Sequence, residues 1–123
     1  MLKIPAFGNT QTVSGNLAVI GIFFEEGAEN ALLQSFISHL PQAEDDTYEA
    51  ADTYDVSSFL PAGTHYYTYG GSLTTPPCSE IVTWIVMEEP IEASLDQIHA
   101  FENLMHENNR PIQDTHGRTI KEF

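Results

Sequence analysis

A mainly β domain carrying two short helices, in the α+β class, is predicted by three features of the sequence. Two apolar runs, at residues 16 to 27 and 80 to 88, are rich in valine, isoleucine and aromatic residues and are short enough to be strands. Two other stretches repeat their apolar residues at helical spacing. Between the β-rich runs, "GGSLTTPPC" sets paired glycines, threonines and prolines in succession, which suits a fixed loop and not a regular element. A chain of 123 residues with 41% hydrophobic content fits one globular domain.

Each element follows in turn. "NLAVIGIFFEEG" (16 to 27) is apolar almost throughout and closed by acids and a glycine, as a strand buried on both faces would be. In "ENALLQSFISHLP" the residues Leu32, Leu33, Phe36, Ile37 and Leu40 line one helical face, and Pro41 ends it. Residues 41 to 58 are polar, acidic and aperiodic, so they read as loop. The acids there, Glu44, Asp45, Asp46, Glu49, Asp52 and Asp55, lack the spacing and glycine of a calcium loop and read as solvated. "SSFLPAG" then turns into a strand, "HYYTY", that runs into Gly70 and Gly71. Pro76 and Pro77 keep the next segment out of a ladder, and "EIVTWIVME", apolar on both faces, is expected to be an inner strand. In "SLDQIHAFENLM", Ser94 and Gln97 form a capping box ahead of the stripe Leu95, Ile98, Phe101, Leu104 and Met105. The tail "NNRPIQDTHGRTIKEF" holds turn residues and a short β-like end, and no internal repeat is visible.

Charge narrows the partners. Eighteen acidic residues against four basic ones give a net −14, which repels phosphate backbones and anionic lipid and so excludes nucleic acid and membrane surfaces as partners. The acidity itself reads as solubility. Cys78 is the single cysteine, so no intrachain disulfide can form. "MLKIPAFGNT" meets Pro5 before an apolar signal core can develop, and no run approaches 18 apolar residues, so the expectation is a soluble chain without an export signal.

The candidate chemistry lies in the proline-stiffened loop. It holds the hydroxyls of Thr74 and Thr75 beside Leu73, and period-two alternation puts Val82 and Trp84 on one face of the strand that follows. Hydroxyls beside an apolar wall suit a small, weakly polar substrate. At this point "YYTYGGSLTTPPCSEIVTWIV" closely resembles the segment of the α-class carbonic anhydrases that carries Y-x-G-S-L-T-T-P-P and the V-x-W after it. "GNLAVIGIFFEEG", "FLPAGTHYYTY", "EEPIEASLDQIHAF" and "NNRPIQDTHGR" resemble further segments of that family in the family's order. The resemblance covers residues 15–123, with 1–14 outside it, and is to the C-terminal half of the family fold. It implies a partial, mostly antiparallel carbonic-anhydrase-type sheet with two short helices.

The resemblance also implies roles. Thr74 matches the hydroxyl that accepts a hydrogen bond from zinc-bound hydroxide, and Thr75 the neighbour that helps place substrate and product. Val19, Leu73, Val82 and Trp84 match the apolar wall where carbon dioxide rests, and Arg110 matches a tail arginine with a structural role. The family holds its zinc with three histidines, two of them in an H-x-H pair, upstream of anything aligned here. The histidines of this chain, His39, His65, His99, His106 and His116, form no such pair, so zinc is not expected at the family site. The glutamate that accepts the threonine's proton in the family, and the cysteine that pairs with the position of Cys78 in many bacterial members, are missing as well.

His99, Glu102 and His106, spaced i, i+3 and i+7, are the surface candidates for a substitute metal, against the plainer reading of a solvated helix flank. The expected function is therefore a truncated carbonic-anhydrase-like protein, deficient by itself in the reversible hydration of carbon dioxide. The alternatives are a replacement metal site in an oligomer, or a non-catalytic scaffold. A half-sheet leaves an open edge and uncovered apolar faces, so a homodimer or higher homo-oligomer is expected. Bacterial relatives of the family are often periplasmic or secreted.

Overall fold

The computed structural model describes residues 15–40, 47–49, 53–106 and 108–123; the segment 1–14 and the acids Glu44, Asp45, Asp46 and Asp52 lie outside the described residues. The elements are β1 (Leu17–Gly21), β2 (Phe24–Glu26), α1 (Ala31–Ile37), a 3-10 turn (Val56–Phe59), β3 (Tyr66–Gly71), β4 (Val82–Met87), β5 (Ile91–Ala93), α2 (Leu95–Met105) and β6 (Lys121–Glu122). The mainly β, two-helix class is the one observed.

The four-stranded sheet has the order β1-β4-β3-β6, so the strand expected to be inner is inner. It is a mixed sheet: β3 pairs antiparallel with β4 and with β6, while β1 pairs parallel with β4. The apolar run at 16 to 27 is not one strand. It breaks after Gly21, and β2 leaves for a two-stranded sheet in which it pairs parallel with β5. Partner spacing lengthens by two residues between Leu17–Val82 and Phe24–Ile91, so the chain bulges between β4 and β5. The bulge holds Pro90, which has no N–H to donate. It is tied down by Glu88 N–H donating to His65 O (3.1 Å), Ile91 N–H donating to Phe23 O (2.9 Å) and Gly63 N–H donating to Glu89 Oε2 (2.6 Å).

The expected burial of residues 16 to 27 on both faces is corrected by the structure. β1 alternates between half-buried and exposed positions, and Ile20 is 40% exposed, because the face that carries Ala18 and Ile20 is left uncovered among the described residues. Leu17 N–H donates to Ile81 O on the β4 side (2.8 Å). Alternation therefore turns the N–H and C=O of Ala18 and Ile20 toward the open side.

The helices close a separate core. Asn30 caps α1 by accepting from Leu33 N–H (2.9 Å), and Ser94 with Gln97 forms the expected capping box on α2. Gln97, 2% exposed, does more than cap its own helix. Its Oε1 also accepts from Asn30 N–H (2.9 Å), and its Nε2 donates to Asn30 O (2.8 Å) and Gln34 Oε1 (3.0 Å), so one amide joins the starts of both helices. Leu33, Phe59, Ala93 and Phe101 form the buried centre, with Phe24, Phe36, Ile91, Ile98 and Met105 packed against it. Phe59 meets Phe24 edge-on at 6.0 Å and stacks on Phe36 at 5.9 Å. The stripe on α2 is narrower than expected: Leu95 and Leu104 remain exposed, since nothing among the described residues extends far enough around the helix to cover them. Asp55 caps the 3-10 turn by accepting from Ser57 Oγ (2.6 Å) and Ser57 N–H (3.0 Å), bonds that hold its carboxyl below the usual range. No described helix is long and apolar enough to cross a membrane.

Candidate functional site

The threonine loop joins β3 to β4 and is closed by its own backbone. Leu73 N–H donates to Ser79 O (3.0 Å) and Cys78 N–H to Thr75 O (2.9 Å), so residues 73 to 79 form a loop pinned at both ends. The Pro76–Pro77 bond is cis, and Cys78 has φ +57°, in the left-handed region that non-glycine residues seldom enter. Thr74 is half-buried and Thr75 exposed, and neither hydroxyl has a hydrogen-bond partner among the described residues. Both are thus free to donate to, or accept from, a small ligand.

Beside the loop stands the apolar wall. Register sets Leu17, Val82 and Gly71 in one row across the sheet and Val19, Trp84 and Tyr69 in the next, all on one face. Val82 is 3% exposed, while Val19, Leu73 and Trp84 are half-buried. Trp84 is held in place by its indole N–H, which donates to Ser72 O (3.1 Å). It lies so close over β3 that a Cβ on Gly71 would come within 2.8 Å of its ring, which is why that position must be glycine. Further along the same face, Tyr67 Oη donates to Glu88 Oε1 (3.2 Å). That bond, with the charges of Glu122 and Glu88, pushes the phenol above its usual pKa.

The predicted residues Val19, Val82 and Trp84 thus share one face of the sheet, and Leu73, Thr74 and Thr75 lie in the pinned loop that leads into β4. Ser72 and Arg110 complete it in a way that sequence reasoning did not anticipate: Arg110 Nη1 donates to Ser72 Oγ (2.7 Å) and Ser72 Oγ to Leu73 O (2.9 Å). The only sequence signal for this contact was the N-x-R-P motif itself, 38 residues from its partner.

The metal candidates stand apart. His99 Nε2 lies 4.0 Å from Glu102 Oε2 with both side chains exposed, and His106 is the C-cap of α2 at φ +50°, where it has left the helical path. His39 stacks on Tyr48, and its Nδ1 lies 2.8 Å from Ser35 O. Among the described residues, no three His, Cys, Asp or Glu side chains converge as a metal site requires, so the donors present do not fit a zinc ion. A cleft lined by Glu29, Gln34, Ile37, Ser94, Asp96 and Gln97 belongs to the helix side and shares no residue with the loop or wall.

The chain belongs to the eukaryotic-type carbonic anhydrase family, whose model matches residues 2–123. It is 47% identical over 110 residues to a carbonic anhydrase of Nostoc sp., covering 89% of this chain and 42% of that protein. It is 40% identical over 111 residues to a carbonic anhydrase of Pectobacterium atrosepticum, covering 89% and 46%. Among solved structures, a hyperthermostable carbonic anhydrase from a hydrothermal vent chimney superposes with TM-score 0.85 at 46% identity, covering 92% of this chain and 51% of that one. The α-carbonic anhydrase of Thermovibrio ammonificans, solved with sulfanilamide, superposes with TM-score 0.82 at 40% identity, covering 88% and 48%. The chain spans about half the length of the curated relatives it matches.

Proposed function

We propose that these 123 residues carry the substrate-orienting part of a carbonic anhydrase site and do not, by themselves, hydrate carbon dioxide. The observation that supports this reading is a pinned loop, with unpartnered Thr74 and Thr75 hydroxyls, leading into the strand whose Val82 and Trp84 share a face with Val19, in a chain whose histidines and acids bring together no metal-ligating trio among the described residues. Family chemistry depends on zinc, which supplies a nucleophile by lowering the pKa of bound water from ~15.7 to about 7. This chain's residues do the remaining work. The hydroxyls orient a small oxygen-bearing ligand, and the wall keeps water from its apolar side. Stopped-flow hydration of carbon dioxide by the purified chain with added zinc should stay at the uncatalysed rate. A rate that rises with zinc and is abolished by a sulfonamide would overturn the reading. Stoichiometric zinc retained after dialysis, without activity, would favour a metal-binding scaffold instead.

A second copy of the chain is the partner proposed for the open edge. The strand "LAVIG" carries no charge in a chain of net −14, so it is a surface on which two like-charged copies can meet without opposing carboxylates. A twofold axis through Val19 would let Ala18 and Ile20 exchange backbone bonds with Ile20 and Ala18 of the other copy. Light scattering coupled to size exclusion should give twice the chain mass at micromolar concentration, and half that value for Ile20→Pro. A parent chain that stays at one chain's mass would rule the dimer out.

A further inference from the structure

Three of the chain's four basic residues, Arg110, Arg118 and Lys121, lie after α2, and neither arginine forms an ion pair with a carboxylate among the described residues, although the chain carries 18 acids. Both reach back to the end of β3 and the loop that follows it. Arg110 Nη1 donates to Ser72 Oγ at 2.7 Å, and Arg118 Nη1 donates to Gly70 O at 3.0 Å. Arg118 also holds its own turn together by donating through Nε to Thr115 O and through Nη2 to Asp114 O (both 2.8 Å). Residues 111 to 123 are exposed throughout, and besides the arginines the segment is tied at its far end, where β6 pairs with β3 and Phe123 stacks on Tyr66 at 5.3 Å. Ser72 in turn is held from three directions: Arg110 on its hydroxyl, its own hydroxyl on Leu73 O, and the Trp84 indole on its carbonyl. Leu73 and Thr74 follow directly in the chain.

We propose that Arg110 is a positioning residue for the threonine loop: by gripping Ser72 it sets where Leu73 and the Thr74 hydroxyl stand relative to the Trp84 wall, and Arg118 keeps the tail on β3 so that this grip holds. A guanidinium bond to a hydroxyl is charge-assisted and stronger than a neutral bond, and a half-buried site protects it from screening. The functional meaning rests on the carbonic anhydrase reading. The positioning itself does not, and it can be measured without any activity.

Trp84 is the only tryptophan, and its indole bonds the residue that Arg110 grips, so its fluorescence reports directly on this contact. In the purified 123-residue chain, Arg110→Ala should red-shift that emission and speed hydrogen exchange at the amides of Leu73 and Cys78 about tenfold or more, as loss of a hydrogen bond to a charged donor implies. The amides of Gln97 and Ile98 at the start of α2 should exchange as before. Arg110→Lys, which keeps a cationic donor, should restore most of both signals. Ser72→Ala should reproduce the loss, with no further effect when combined with Arg110→Ala. Unchanged loop exchange and emission in Arg110→Ala would overturn the proposal. So would equal acceleration in α2, which would make the arginine a general stabiliser. Should Arg110→Ala fail to fold, Ser72→Ala and Arg110→Lys decide on the same two readouts: the proposal falls if Ser72→Ala leaves both unchanged. Catalysis by the chain would refute the functional reading and leave this result standing.

Discussion

The helix side and the four-stranded sheet have similar apolar content but differ in how it is covered. On the helix side, Leu33 and Ala93 are completely buried and one glutamine amide ties two helix starts together. On the sheet side, Val82 and Met87 are the buried positions, while Val19, Leu73 and Trp84 are half-buried and Ile20 is open. The lesson is that apolar composition predicts where burial is possible, while the elements that pack against a strand decide whether it happens. The helix side carries its own covering elements. On the sheet, the exposed positions Ala18, Ile20 and Thr83 share the face opposite Val19, Val82 and Trp84.

This contrast can be broken experimentally. Leu33→Ala should cost about 2–5 kcal/mol in chemical denaturation, because the site is fully enclosed, whereas Ile20→Ala at the open edge should stay within about 1 kcal/mol. Equal losses would mean that the sheet is as well covered as the helix core. Next in size is Gln97→Ala, which leaves the N–H groups of Asn30 and Ser94 without their acceptor and should cost about 1–3 kcal/mol. A loss below about 0.5 kcal/mol, the usual effect of a surface substitution, would show that water replaces the amide easily.

The smallest effect concerns Tyr67 on the sheet side. Its phenol titrates above the usual 10.0, chiefly through the bond it donates to Glu88 and then through the charges of Glu122 and Glu88. A raised folded-state pKa stabilises the neutral form, so this contribution is present below pH 10.0 and is lost as pH rises through the folded value. Glu88→Gln should move the titration, followed by absorbance at 295 nm, down toward 10.0. No movement would show that the bond is not kept in solution.

Much of the helix side could be read from the sequence, because capping and 3.6-residue periodicity are local signals. Ser94 with Gln97, and the face of Leu33, Phe36 and Ile37, are examples. The threonine loop was legible too, since two prolines and the surrounding strands confine it within a few residues. What escaped was non-local. The break after Gly21 depends on which partner each half of an apolar run finds, and β4 and β5 lie some sixty residues further on. The grip of Arg110 on Ser72 spans 38 residues and has no periodic trace. The second amide role of Gln97, across to Asn30, is equally invisible to a capping-box pattern.

The bulge between β4 and β5 has a mechanical consequence. The two sides of the molecule are joined by two rails, β1 running into β2 and β4 running into β5, laid side by side in the same direction with a two-residue slack in one of them. A single connecting strand would let the sides swivel about a few backbone torsions. Two rails stitched above and below the slack resist swivelling and permit only a small slide, taken up where Glu89 holds Gly63 and His65 holds Glu88. A load applied to the helix side is therefore passed to β4, the strand that carries Val82 and Trp84, without first loosening either end.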